Sequence, residues 1–135
     1  MNFLAVFLAA FLAAHTTLAN VAFVPWEDAI AIYSLSAEEQ KCWSEINAHR
    51  VRHGRKPLQL DMSLTQASRS WSATMARSGF RHGSGQENIY AGSTSGQRAA
   101  DRWKKSPGHN AFLLSTRITH AGIGASGTHW TFRGR

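Results

Sequence analysis

Cysteine is almost absent from this sequence, since Cys42 is the only one among 135 residues. An intramolecular disulfide is therefore excluded, although many small exported domains depend on disulfides. The fold must instead be held together by packing or by a metal ion. Cys42 lies within an apolar helical pattern, which favours a buried free thiol over the alternative of a disulfide between two chains. A cysteine nucleophile is disfavoured because no loop context activates the thiol.

Acidic residues are also scarce in the chain. It has 8 Asp and Glu against 15 Lys and Arg, which gives a net charge of +7. The basic residues are dispersed along the chain from Lys41 to Arg135 rather than gathered in a dense run, so no nucleic-acid partner is indicated. Anionic envelope polymers or lipid headgroups are the expected partners of such a charge on an exported protein. A solvated basic surface without a specific partner is the alternative.

Charged side chains are missing from residues 1–19, and residues 3–14 form an almost unbroken apolar run. A membrane-spanning helix needs about 20 apolar residues, so this run is too short for one. Thr17, Leu18 and Ala19 close the segment in the manner of a signal-peptide cleavage site. We therefore expect a signal peptide at 1–19 and a secreted product, extracellular or periplasmic, without an integral membrane anchor. A buried helix or an uncleaved anchor is the alternative.

The remaining chain has the length of one domain, with a pre-domain segment at 20–36 and the domain at 37–135. Ser36 and Glu39 have capping-box spacing, which predicts the start of a first helix. That helix extends to His53, where Gly54 ends it.

Asp61 can cap a second helix. Its apolar residues recur at helical spacing and predict one core-facing stripe: Leu64, Ala67, Trp71 and Met75.

The sequence of the second half of the domain predicts a loop, a third helix and a hairpin near the C-terminal end. A glycine-rich loop covers 80–90, and Thr94 or Ser95 can cap the third helix, which Pro107 interrupts. Apolar residues then alternate over 120–125 and 129–132 around a short turn, which predicts a β-hairpin. Helices combined with a few late strands indicate an α+β layered domain.

Several short phrases occur in a recognisable order along residues 37–132. They are Ile46-Asn47-Ala48-His49-Arg50, Leu58-Gln59-Leu60-Asp61, Gln86-Glu87-Asn88-Ile89, Ala100-Asp101-Arg102-Trp103, Ser106-Pro107-Gly108-His109-Asn110, Ala121-Gly122-Ile123-Gly124 and Trp130-Thr131. Together they resemble the CAP superfamily of cysteine-rich secretory proteins, antigen 5 and pathogenesis-related proteins, in its bacterial Ser-Pro-Gly-His form.

The resemblance implies an α–β–α sandwich with a small central antiparallel sheet. It also implies a binding cleft with two histidines and an acidic residue that can hold a divalent metal. Carried over to this chain, the cleft residues are His82, Glu87, Asn88 and His109. Eukaryotic members have a second Glu shortly after the helix tryptophan, but residues 103–106 contain no acid. A mechanism that needs two carboxylates is therefore in doubt, and no catalytic residue is assigned.

Two interpretations of the His82, Glu87 and His109 cluster stay open. Two imidazoles and a carboxylate could supply three of the four ligands of Zn²⁺, and the bound water could then act as a nucleophile. Alternatively, Glu87 accepts hydrogen bonds from loop amides and the histidines bond to it or to carbonyls, which stabilises the loop without chemistry. His49 and His53 share a helical face and form another possible metal pair, but a solvated basic face is expected there.

Three functions follow from these observations. The first is a secreted, non-enzymatic binding module for a lipid, a sterol-like molecule or an envelope polymer. The second is a metal-dependent hydrolase that uses His82 and His109, with Glu87 as ligand or base. The third is a basic secreted effector, supported only by the net charge, whose binding should fall steeply with salt.

Overall fold

The computed structural model describes residues 31–83 and 85–135. The predicted signal peptide at 1–19 and most of the pre-domain segment lie outside these described residues. Within them, no helix has both the length and the apolar character needed to cross a membrane.

The first helix, α1 (Ala37–Arg52), begins at the predicted capping box. The Ser36 hydroxyl accepts a hydrogen bond from the Glu39 amide at 3.2 Å, and the Glu39 carboxylate accepts one from the Ser36 amide at 2.9 Å. Such a cap contributes about 1 kcal/mol. Gly54 follows the helix with a φ of 69°, a value that glycine adopts without strain.

Asp61 separates the short strand β1 (Gln59–Leu60) from helix α2 (Met62–Ser78). Its carboxylate accepts hydrogen bonds from the amides of Ser63 and Leu64, which confirms the predicted cap. Strand β1 was not predicted, because two residues are too few for alternation to be visible.

Four strands form one sheet in the order β1, β3, β4, β2. Strands β3 (His120–Ser126) and β4 (His129–Gly134) are the predicted hairpin, and β2 (Glu87–Ala91) lies antiparallel to β4. The sheet is therefore antiparallel apart from β1, which runs parallel to β3 along the edge.

Two further helices follow β2 in the chain. Helix α3 (Gly96–Lys105) is capped by Ser95, whose hydroxyl accepts from the Arg98 amide, so Ser95 rather than Thr94 is the cap. Helix α4 (Pro107–Leu113) begins at the proline that interrupts α3. Proline suits this first position because its fixed φ is helical and its missing N–H would have no partner there.

The helices cover both faces of the sheet, which confirms the α–β–α sandwich. Helix α2 packs on β3 and β4 from one side, while α1 and α3 pack against each other and cover the sheet from the other. The main apolar core lies beneath α1 and α3 and is completed by β3 and β4. Its largest fully buried members are Trp103, Trp130, Phe132, Ile46, Leu113, Ile118 and Ile123.

The buried face of α2 differs from the predicted one. Leu64, Ala67 and Trp71 are only half-buried, whereas α2 turns a face of small hydroxyl residues and one methionine towards the sheet. The buried residues of α2 are Thr65, Ser68, Ser72 and Met75.

Glycines on β3 explain this orientation of α2. A Cβ at Gly122 would lie 2.2 Å from the Thr65 amide nitrogen, and one at Gly124 would lie 2.2 Å from that of Arg69. The helix backbone therefore rests directly on the strand, where only small side chains fit. Ser72 donates to the Gly124 carbonyl at 2.9 Å and lies 2.8 Å from the Thr131 hydroxyl.

Two further predictions concern α1. Cys42 is a buried free thiol, as expected, and burial raises the pKa of that thiol far above its usual range. His49 is not on a solvated face: it is 8% exposed, and its Nε2 lies 2.7 Å from the Asn110 side-chain oxygen on α4. That expectation was wrong for His49 because α4 covers this part of α1, which the helical spacing of α1 does not reveal.

Candidate functional site

The carboxylate of Glu87 is the centre of the candidate site. It lies at the start of β2, and its side chain is 1% exposed. Oε1 accepts a hydrogen bond from the Gly83 amide in the preceding loop and lies 3.5 Å from Nδ1 of His82. The strand thus holds the end of the glycine-rich loop through one buried side chain.

The other oxygen of Glu87 is bound by an arginine that sequence reasoning missed. Arg133 faces Glu87 across the β2–β4 pair. Its Nε donates to Oε2 at 3.0 Å, and its Nη2 lies 3.0 Å from the same oxygen. Finding this pair from the sequence would have required the register of the two strands.

Asn88 and His109 complete the predicted cluster. Asn88 is 2% exposed and donates from Nδ2 to the His109 carbonyl at 3.0 Å, so it joins β2 to the beginning of α4. Burial lowers the pKa of His109, and the charge of His82 lowers it further. The four predicted residues therefore lie close together. Glu87 and Asn88 make hydrogen bonds to backbone groups, whereas His82 and His109 each line a surface depression.

The donor set does not fit a three-ligand metal site. Both Glu87 oxygens already have partners, and one partner is a guanidinium, which repels a cation at that position. Among residues 31–83 and 85–135, no group of three or more His, Cys, Asp or Glu side chains is placed to hold a metal ion. The geometry matches the alternative in which Glu87 stabilises the loop through hydrogen bonds.

A cavity of about 430 Å³ opens beside His109, and we call it the His109 cleft. It lies between α3 and β2 and combines an aromatic wall with basic side chains. Its principal lining residues are Phe80, Tyr90, Arg102, Trp103, Lys105 and His109. The sequence signal for the basic edge was the i, i+3 spacing of Arg102 and Lys105, which places both on one face of α3.

His82 borders a separate depression, which shares no lining residue with the His109 cleft. This depression is lined by Trp71, Gly83 and Arg133 as well as His82. Trp71 donates from its indole N–H to the Arg81 carbonyl at 3.2 Å, and the Arg81 guanidinium lies 5.2 Å from the indole ring centroid. Trp71 was expected in the core but packs instead against the loop that carries His82.

The chain is similar to known proteins at the level of sequence. The model of the cysteine-rich secretory protein (CAP) family matches residues 43–131. An uncharacterized protein of Bacillus subtilis, YkwD, is 30% identical over 120 residues, which covers 73% of this chain and 47% of YkwD. The chain therefore spans about half the length of this curated relative.

Solved structures share the fold. An extracellular protein of Bacillus anthracis that contains an SCP domain matches with a TM-score of 0.68 at 21% identity, over 72% of this chain and 39% of that one. An outer surface protein of Borrelia burgdorferi matches with a TM-score of 0.62 at 17% identity, over 73% of this chain and 93% of that one. Since the family match extends over well more than half of the sequence, this chain belongs to the cysteine-rich secretory protein (CAP) family.

Proposed function

We propose that this chain is a secreted binding module that holds an anionic envelope ligand in the His109 cleft and catalyses no reaction. The observation that carries the proposal is the pairing of uncompensated cations with an aromatic wall in one cavity. Arg102 and Lys105 line it and make no ion pair or hydrogen bond with the described residues. The neighbouring Lys104, by contrast, is paired with Glu45 and Asp101.

The aromatic wall favours a ligand with a sugar or acyl body beside its charge. Phe80 is 54% exposed at the rim of the cleft, and Tyr90 is half-buried next to it. Aromatic faces of this kind give up water readily to a flat apolar surface. A sterol-like ligand without an anionic group would leave Arg102 and Lys105 unused, so the cleft favours an anionic polymer or lipid over it.

A shallow depression continues the cleft along α3. It shares Tyr90, Arg102 and Lys105 with the cleft and adds Arg98 and Asp101. Arg98, Arg102 and Lys105 are spaced i, i+4 and i+7 on α3 and therefore lie on one helix face. This row of cations supports a polymer with repeated negative charges, whose successive anionic groups could meet them in turn.

An extracellular location fits this ligand class. One relative of similar fold is described as extracellular and another as an outer surface protein. The predicted signal peptide at 1–19 would deliver this chain to the same side of the membrane. The predicted Zn²⁺ set of His82, Glu87 and His109 stays a prediction, and no observation on the described residues favours the hydrolase alternative.

The test is an equilibrium titration of the purified protein with two probes. One probe is the soluble fragments that lysozyme releases from a bacterial cell wall, and the other is vesicles of anionic phospholipid. We expect one of them to saturate at micromolar concentrations. The double variant Arg102→Gln, Lys105→Gln should then bind at least about tenfold more weakly, a loss of about 1.4 kcal/mol.

A control of equal charge makes the result specific. Lys41→Gln together with Arg77→Gln also removes two positive charges, from exposed positions outside the cleft. This control should bind as the wild type does. If neither probe saturates, or if both double variants lose the same affinity, the proposed function is wrong.

A further inference from the structure

A second cavity, distinct from the His109 cleft, lies at the C-terminal end of α1. It has a volume of about 510 Å³ and is formed by the loop after α1 and the segment before β3. It shares no lining residue with the His109 cleft. We call it the Arg50 pocket, after the residue at its base.

Arg50 is a buried cation that has no carboxylate partner among residues 31–83 and 85–135. The residue is 3% exposed. Its Nε donates to the Lys56 carbonyl at 2.9 Å, and its Nη1 donates to the carbonyls of Leu113 and Ser115 at 2.6 and 3.0 Å. Neutral carbonyls satisfy these donors but cancel none of the charge. A buried charge is costly unless a counter-charge is near.

One nitrogen of the guanidinium has no hydrogen bond to the part of the chain that the structure describes. Nη2 of Arg50 makes no hydrogen bond with the described residues. Among them, Thr65 Oγ1 is the sole buried side-chain polar atom without a partner. Nη2 is therefore not fully buried, and Arg50 is one of the residues that line the pocket.

Two more cations surround the same space. Arg55 and Lys56 line the pocket, and Nε of Arg55 donates to the Leu114 carbonyl at 2.9 Å, which fixes its guanidinium near the rim. Burial lowers the pKa of Arg50, and the nearby charge of Arg55 lowers it further. Within the described part of the chain, no acidic residue lines the pocket. The fold thus holds like charges together without a counter-charge, which makes the pocket strongly attractive to an anion.

We propose that the Arg50 pocket is a second ligand site, which binds the phosphate group of a small phosphate ester. The Nη1–Nη2 edge of Arg55 makes no hydrogen bond with the described residues and can pair bidentately with phosphate oxygens, and Arg50 can add a hydrogen bond from Nη2. The hydroxyl-bearing residues Thr116 and Thr119 also line the pocket. The cavity is larger than a bare phosphate needs. Pro57 and Ile118 supply an apolar surface for the organic part of the ester.

The experiment is an NMR titration of the full ¹⁵N-labelled chain with sn-glycerol 3-phosphate, inorganic phosphate and phosphatidylglycerol vesicles in separate arms. We expect glycerol 3-phosphate to shift the amides of residues 54–56 and 116–119 and to saturate with a dissociation constant below about 1 mM. Weaker saturation by inorganic phosphate supports a role for the organic part. Competition by the vesicles identifies a lipid headgroup as the source, and its absence identifies a soluble ester.

Variants separate binding from folding. Arg50→Ala removes hydrogen bonds to three carbonyls and is a poor test because it threatens the fold. Arg55→Gln with Lys56→Gln changes exposed side chains and should weaken glycerol 3-phosphate binding at least about tenfold, since charge-assisted hydrogen bonds are lost. The control, Lys41→Gln with Arg77→Gln, should keep wild-type affinity. Shifts that stay linear, or an equal loss in both double variants, would overturn the assignment of this site.

The two proposals fail independently. Removing Arg102 and Lys105 leaves the Arg50 pocket intact, and removing Arg55 and Lys56 leaves the His109 cleft intact.

Discussion

Glu87 and Arg133 face each other across β2 and β4, and the arginine Nε donates to the buried carboxylate at 3.0 Å. The same carboxylate accepts the Gly83 amide. One ion pair therefore fixes both the sheet edge and the loop that carries His82. Glu87 thus anchors this loop to the sheet.

Replacing Glu87 by glutamine should destabilise the protein. The Arg133 guanidinium would lose its counter-charge in a largely buried position, which costs about 3 kcal/mol. The free energy of unfolding from urea denaturation measures the loss. Asp101→Asn is the matched control, because the Asp101 side chain is 39% exposed and its pair with Lys104 is worth less than about 1 kcal/mol. Equal losses in both variants would contradict the anchoring role.

Gly122→Ala should destabilise the protein by about 3 kcal/mol or more. Its Cβ would lie 2.2 Å from a backbone atom of α2, and such overpacking cannot be relieved without moving the helix. Gly108→Ala is the control, since its Cβ meets nothing within 4 Å and alanine favours the helical position. Thermal unfolding distinguishes the two. A Gly122→Ala variant as stable as the wild type would show that α2 does not rest on β3.

The same contact explains which part of the fold the sequence could predict. Helix starts at Ser36, at Asp61 and at Thr94 or Ser95 were predictable because a cap depends on neighbours within three residues, and the structure selects Ser95. The orientation of α2 was not, because it is set by glycines on β3, more than forty positions later. Hydrophobic periodicity predicts that α2 buries its most apolar face. Close packing of the α2 backbone on β3 instead buries the face that carries the smallest side chains.

Part of the candidate site could likewise be predicted from the sequence, and part could not. His82, Glu87, Asn88 and His109 were named from phrases that resemble a family, and the structure places them together. Arg133 could not be named, because its partnership with Glu87 depends on strand register. The cations of the His109 cleft were present in the sequence as dispersed charge, and only the packing of α3 beside β2 gives them a common cavity.

His109 should titrate below the ordinary range of histidine. Burial and the nearby His82 both lower its pKa. Between the folded and the unfolded pKa, His109 therefore binds fewer protons in the folded protein than in the unfolded chain. The stability linked to His109 is therefore present above the ordinary histidine value of about 6.5 and lost as the pH falls towards the folded pKa. His82→Gln should raise the pKa of His109, measured by NMR of the ring proton. His53→Gln is the control. An equal rise of the His109 pKa in both variants would show that His82 is not the neighbour that lowers it.

Glu39 should make the protein sensitive to acid. Burial opposes ionisation of its carboxylate, but hydrogen bonds from Arg69, the Ser36 amide and the Ala125 amide outweigh this and lower the pKa. The resulting stability is present above the unfolded value of about 4.3 and is lost as the pH falls through the folded pKa. Urea denaturation between about pH 3 and pH 7 should show a flatter profile for Glu39→Gln. An unchanged profile would show that another carboxylate is responsible.

The central claim is that the His109 cleft binds an anionic envelope ligand. The most direct test is to map amide shifts in the ¹⁵N-labelled protein as lysozyme-released cell-wall fragments or anionic vesicles are added. The account predicts saturable shifts confined to the lining of the cleft, at Phe80, Tyr90, residues 102–106 and His109. Saturable binding whose shifts lie elsewhere, or the absence of saturable shifts with both probes, would contradict it.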